Sequence, residues 1–300
     1  MSQFSCILIG NESLLVQCAQ AALDRGNVVA VVVTRNAGVA DWATGSGLRV
    51  EAPGKDLAAR LGGVQADYLL SVANLSIIPD DVLAIPTKGA VNFHDGPLPR
   101  HAGLNAPVWA LMQGETQHGI SWHMIEGGVD EGDILASRSF DITNSDTALT
   151  LNTKAYEAAI ASFGDVLDQL ESGDLKRIKQ DLSQRSYFAK NARPDGAGRL
   201  DFTKPARTIT TLVRALDHGD YWNPLTCPKI ESGGRVWLVG KAASGAASGG
   251  QPAGTVLEVG TDSLTVATAT APVTLTALRD ANGAPVSPAQ IAAPGDVLPS

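Results

Sequence analysis

Cysteine is scarce in this 300-residue chain: Cys6, Cys18 and Cys227 are the three. They lie far apart and lack the paired spacing of a zinc site. Cys6 opens the apolar run Cys6-Ile7-Leu8-Ile9, so the expectation is reduced core thiols in a reducing compartment. Long apolar runs are missing too. No stretch approaches the ~18–20 apolar residues of a membrane span. The opening Met1-Ser2-Gln3-Phe4-Ser5 lacks the basic segment of a signal peptide. These absences predict a cytoplasmic protein. Basic charge is also short, with 23 Lys+Arg against 31 Asp+Glu and a net charge of −8. An acidic chain is a poor binder of nucleic acid through bulk charge. Against these shortages stands a composition of 44% hydrophobic and 18% charged residues, which excludes disorder. Its length suits one large domain or two modest ones.

The first third alternates strand and helix signals. Ile7–Ile9 is a short apolar strand ending at Gly10, and Asn11 can cap a helix through Leu15, Cys18 and Ala22. Val28–Thr34 is a nearly continuous β-branched run, as in a strand buried on both faces. Strands over Tyr68–Ala73 and Gly89–His94 follow, with helical turns between them. This order predicts a mostly parallel sheet with helices on both faces. Further on come a helix after Asn105, strands from Gly119 and from Ile134, and a long helix capped by Ser145 or Asp146. Ser183–Gly198 has no apolar periodicity and reads as a connector. Beyond it, Lys204–Leu216 is amphipathic, and four short strand candidates predict a small β-barrel. The Ala/Ser/Gly-rich stretch Lys241–Gly254 reads as a mobile surface loop. The expected division is a catalytic domain over 1–186, a linker over 187–198 and a β-rich domain over 199–300.

A dinucleotide fingerprint needs three glycines so that a pyrophosphate can approach the backbone, and after the first strand only Gly10 is present. A standard NAD site is excluded on that ground, and Gly10 reads as a turn. Asn92-Phe93-His94 is more informative. Asn92 and His94 lie two apart on one strand, so both side chains leave the same face at the strand's carboxyl end. An amide and an imidazole placed so can donate two hydrogen bonds to one ligand. Asp130 lies in the glycine-rich loop Gly127–Asp133, where it can stand beside that histidine and favour its protonated form. Of the other histidines, His118 and His218 sit among polar neighbours and read as surface residues. His101 borders the loop after His94, and His123 reads equally as core or as pocket wall.

The run Asn92-Phe93-His94-Asp95-Gly96-Pro97-Leu98-Pro99-Arg100, then Gly103, Gly119-Ile120-Ser121 and Asp130-Glu131-Gly132-Asp133, resembles the formyltransferases that use 10-formyltetrahydrofolate. Leu200-Asp201-Phe202 and Val213-Arg214-Ala215-Leu216 look like the carboxyl domain of methionyl-tRNA formyltransferases, so the resemblance covers nearly the whole chain. It implies a Rossmann-like α/β domain followed by an OB-like barrel. It also implies that Asn92 and protonated His94 donate to the oxygen of a tetrahedral intermediate, while Asp130 orients His94 and helps remove the amine's proton. One such donor is typically worth ~10²–10³ in rate. Gly96, Pro97, Leu98 and Pro99 would lie against the folate, with the pterin near Ser71–Ile78, and Asp133 is a further candidate beside it. The loop reads Gly96-Pro97 where the family commonly has Ser-Leu. No metal is implied.

The acceptor amine is less defined. Residues 201–300 carry seven basic and eight acidic side chains, which disfavours tRNA. Asp95-Gly96-Pro97-Leu98-Pro99 with Ser186-Tyr187-Phe188 and Arg193-Pro194-Asp195-Gly196 looks like formyltransferase domains of modular nonribosomal peptide and polyketide synthetases. That resemblance implies an aminoacyl group on a carrier-protein arm as acceptor; a domain of a larger synthetase chain and a free-standing enzyme are equally compatible with it. A free small amine, an amino sugar and methionyl-tRNA remain alternatives, as does a folate-binding scaffold without turnover.

Overall fold

Short aliphatic runs build a seven-stranded sheet because they can be buried on both faces. A computed structural model of the chain describes residues 3–246 and 250–300. In chain order the first elements are β1 Ser5–Ile9, α1 Ser13–Asp24, β2 Val28–Val33, α2 Ala37–Gly45, β3 Val50–Glu51, α3 Leu57–Arg60, β4 Tyr68–Ser71, α4 Asp80–Leu83 and β5 Gly89–His94. They are followed by β6 Ala102–Gly103, α5 Ala106–Met112, β7 Gln117–Met124, β8 Ile134–Asp141, α6 Ala148–Ser172 and β9 Tyr187–Phe188. The large sheet has the order β3-β2-β1-β4-β5-β7-β8. The strands from β3 to β5 pair in parallel, and β7 runs antiparallel to both β5 and β8. After β3 the chain returns to the far side of β1, so β1 and β4 form a switch point where the carboxyl ends open a crevice.

Alternation along β1 shows how both faces are filled. Cys6 and Leu8 join a core with Leu15 of α1, Trp122 of β7 and Phe163 of α6. Ile7 and Ile9 join a second core with Leu57 of α3 and Val82 of α4. Burial pushes the Cys6 thiol up to about 12, which suits an inert core thiol. Cys18 is buried as well, whereas Cys227 is exposed and departs from the expected core placement. The expected cap of α1 is also different. Glu12 holds the N-cap position without a side-chain bond, and the Asn11 carboxamide accepts the Arg35 N–H at 2.8 Å instead. The strand end of β2 competes for Asn11 and wins it from the helix.

The chain divides into two compact units. One takes residues through Ala106, Gln117–Asp141 and Asn152–Phe188; the other takes Pro107–Thr116, Ile142–Leu151 and Ala189–Ser300. The second unit holds α7 Ala206–Ala215, β10 Lys229–Ser232, β11 Arg235–Ser244, β12 Val256–Val259, β13 Ser263–Val266 and β14 Val273–Arg279. Its antiparallel sheet has the order β10-β11-β14-β13-β12 and is curled as a half-barrel. Ile209 and Val213 of α7 share a core with Trp237, Val239, Leu264 and Leu275. The stretch expected as a mobile loop begins as strand, because Lys241–Ser244 pairs with Val273–Thr276 through main-chain bonds that need no particular side chains. Residues 247–249 of that stretch lie outside the described residues. Among the described residues, no helix is long and apolar enough to cross a membrane.

Candidate active site

Strand parity assembles the site. In the antiparallel pairing of β5 with β7, Asn92 stands opposite His123, Phe93 opposite Trp122 and His94 opposite Ser121. Side chains alternate along each strand, so Asn92, His94, Ser121 and His123 share one face. The other face is the anchor. Phe93 and Trp122 pack with tilted rings at 5.2 Å, Trp122 meets Phe163 of α6 at 5.0 Å, and the Trp122 indole N–H donates to the Ser162 hydroxyl at 3.1 Å. Rigid packing behind the strands therefore fixes the polar groups in front.

Asp130 reaches this face from the loop after β7, at a positive φ of 57°. Its Oδ2 lies 3.6 Å from His94 Nδ1, and its Oδ1 lies 3.4 Å from His123 Nε2. The Gly103 main-chain N–H donates to Asp130 Oδ2 at 2.8 Å. Burial alone would push the Asp130 carboxyl up. The His123 and His94 rings beside it and the Gly103 N–H outweigh that cost and hold the group at about 2. Asp130 is thus an anion throughout the neutral range. The structure brings Asp130 to the face that Asn92 and His94 share.

His94 spends one ring nitrogen on the fold. Its Nε2 donates to the main-chain oxygen of His101 at 2.8 Å, which leaves Nδ1 facing Asp130 and, at 3.9 Å, Asp95. Burial raises the Asp95 carboxyl; the charge of His94 opposes that rise. The Asn92 amide nitrogen lies 3.1 Å from His123 Nε2, and His123 Nδ1 donates to the Met124 main-chain oxygen at 2.8 Å.

The loop over Gly96–Pro99 follows directly. Gly96 passes so close to the site that a Cβ there would sit 2.6 Å from His94 Nε2. The Ser121 hydroxyl donates to the Gly96 oxygen at 2.9 Å and accepts the Leu98 N–H at 3.1 Å, which ties the loop to β7. Pro97 lies between these two ties, Leu98 is buried, and the Leu98–Pro99 peptide is cis. Asp133 does not join the cluster. Its carboxylate pairs with Arg177 at 3.0 Å, and the same guanidinium binds Glu126.

Two sequence expectations change here. His118 is 1% exposed, because the rings of His101 and Phe140 pack edge-on against it and its polar neighbours in sequence do not decide its burial. Its Nε2 donates to the Asp95 main-chain oxygen at 2.8 Å, and burial pulls it down to about 3. His101 is likewise buried and lowered to about 4 by burial. Tyr187–Phe188, placed in the connector, instead pairs as β9 with β6. Ser186 and Phe188 accept the N–H groups of Ala102 and Leu104, both at 2.9 Å, which holds Gly103 against Asp130. The sequence assigns no role to Ser121, although it closes the Gly119-Ile120-Ser121 motif, nor to Gln180, whose amide donates to the Asp130 and Gly132 oxygens at 2.9 and 2.6 Å.

Residues 7–167 match the family described as formyl transferase, and residues 195–294 match the formyl transferase C-terminal domain. The chain belongs to the formyltransferase family. Solved structures share its fold. One is WlaRD, a sugar 3N-formyl transferase determined with dTDP and 5-N-formyl-THF, at 18% identity and TM-score 0.71 over 92% of this chain and 98% of that one. Another is an N-formyltransferase from Helicobacter canadensis in complex with folinic acid and dTDP-3-aminofucose, at 17% identity and TM-score 0.69 over 91% and 99%. HypX from Aquifex aeolicus with tetrahydrofolic acid matches at 20% identity and TM-score 0.67 over 93% of this formyltransferase but only 45% of its own length.

Proposed function

We propose that this formyltransferase moves a formyl group from 10-formyltetrahydrofolate to a primary amine, with Asn92, His94 and Asp130 as its catalytic residues. The observation that carries the reading is their meeting on one face of β5 and its neighbouring loop, in a chain of this family. The formyl- and tetrahydrofolate ligands of the structural neighbours support the donor. Residues beside the site fit such a molecule. Leu75 and Ile77, just beyond the carboxyl end of β4, are 71% and 79% exposed. That is apolar surface of the kind a flat heterocycle covers. Gly96, Pro97, Leu98 and Pro99 would line the other side of the donor. The reading gives Asp133 the role of bracing the loop through Arg177.

In this reading the amine nitrogen attacks the formyl carbon, and the carbonyl pair moves onto oxygen. The Asn92 N–H donates to that oxygen, as does the Nδ1–H of His94 in its imidazolium form. Donors fixed in advance outperform water because they need no reorganisation. Asp130, held as an anion, takes the proton released by the attacking nitrogen, directly or through water. Collapse of the oxyanion breaks the bond to the donor nitrogen, which leaves with a proton.

For the acceptor, the loop Asp95-Gly96-Pro97-Leu98-Pro99 favours an aminoacyl group on a carrier protein. The sugar-nucleotide neighbours favour an amino sugar. Single-turnover assays should offer aminoacyl N-acetylcysteamine thioesters, a dTDP-3-amino sugar and methionyl-tRNA in parallel. Transfer to the thioester at the highest rate is expected. A faster dTDP-sugar reaction would replace the carrier reading, and no transfer to any amine would overturn the enzymatic one.

A further inference from the structure

His123 touches both Asn92 and Asp130, yet the proposed chemistry gives it no part. We infer that His123 is a positioning residue that sets which way the Asn92 carboxamide points. The inference rests on the reading that Asn92 donates to the formyl oxygen. Its first step is a tautomer. His123 Nδ1 lies 2.8 Å from the Met124 main-chain oxygen, and a carbonyl oxygen only accepts, so Nδ1 carries hydrogen. In the neutral ring Nε2 is then a bare lone pair. It lies 3.1 Å from Asn92 Nδ2, a hydrogen-bond distance, and 3.4 Å from Asp130 Oδ1, which is longer.

A lone pair accepts an N–H and repels an amide oxygen. His123 thereby holds the amide nitrogen on its own side, with one N–H spent on the imidazole and the second left to donate. The ring is 2% exposed, so water does not compete for either nitrogen. A turned amide would put Oδ1 against the lone pair and move both N–H bonds to the far end. The charged and titratable groups facing the ring are Asp130 and His94, the latter edge-on at 6.5 Å between ring centroids. An imidazolium ring would do the opposite, donating from Nε2 to Asp130 and drawing in the Asn92 oxygen.

Two measurements separate these arrangements. In histidine-labelled protein at pH 8, ¹H–¹⁵N correlation should find His123 protonated at Nδ1 and bare at Nε2; a proton on Nε2 overturns the inference. The second is a mutant cycle in the formyl-transfer assay. His123→Asn keeps a donor near Met124 but has nothing at the Nε2 position, and should lower kcat about 10- to 100-fold with KM little changed. His123→Gln restores an acceptor there and should recover to within about fivefold. Paired with Asn92→Ala, His123→Asn should cost less than about threefold, because its partner is already gone. Full additivity of the two losses contradicts a role through Asn92. If Asn92→Ala alone leaves turnover intact, the catalytic reading fails instead.

Discussion

At the residue scale, two buried neutral histidines flank the site. His118 has its Nδ1 buried without a partner while Nε2–H serves the Asp95 oxygen, so a second proton would be an unpaired buried charge. The folded protein accordingly takes up that proton only at about 3, against 6.5 for an ordinary histidine. Between those values the unfolded chain binds a proton that the folded one refuses. Stability is therefore full above the ordinary value and falls as pH drops through it. His101, lowered to about 4, acts in the same direction. Each contributes up to about 1.4 kcal/mol per pH unit inside its window. The Asp130 contribution is lost only below 3.8, outside that range. Denaturant titrations from pH 4.5 to 6 should show the slope of stability against pH fall by about one proton in His118→Gln. An unchanged slope would mean that His118 is already charged in the fold.

At the element scale, the two-residue pair β6–β9 has an effect beyond its size. Gly103 has φ +94°, and a Cβ there would overlap the Phe188 main-chain oxygen. Gly103→Ala must part the two strands and withdraw the N–H that holds Asp130. Strained backbone of this kind costs of order 1–3 kcal/mol, so a fall of several degrees in Tm is expected. Formyl transfer should drop about tenfold or more, because small displacements of reacting groups are expensive. Melting curves and single-turnover rates on the same preparation check both. The sheet and the meeting of Asn92 with His94 were legible in the sequence, because strand parity is local. The partner of Asn92 was not, because opposing it to His123 requires the register of β5 on β7. The burial of His118 is hidden for a related reason: it comes from His101 and Phe140, distant in sequence and brought to it only by the fold. The role of Tyr187–Phe188 was hidden because a two-residue strand has no periodicity to detect.

At the scale of the whole molecule, the acidic balance and the near-neutral residues 201–300 oppose a polyanionic acceptor. The first unit carries all the groups to which chemistry is assigned. Its rigid support is shared among α6, through Phe163 and Ser162, and the segment 180–188, through Gln180, Ser186 and Phe188. The most direct test of the account is the single-turnover rate of formyl transfer from 10-formyltetrahydrofolate to the amine preferred among the three offered. It should be compared in the wild type, Asn92→Ala, His94→Ala and the double variant. The account predicts that each single change lowers the rate by about 10²-fold or more. The double change should cost less than the product of the two, since both groups serve one oxygen. A His94→Ala protein that transfers formyl at the wild-type rate would contradict it.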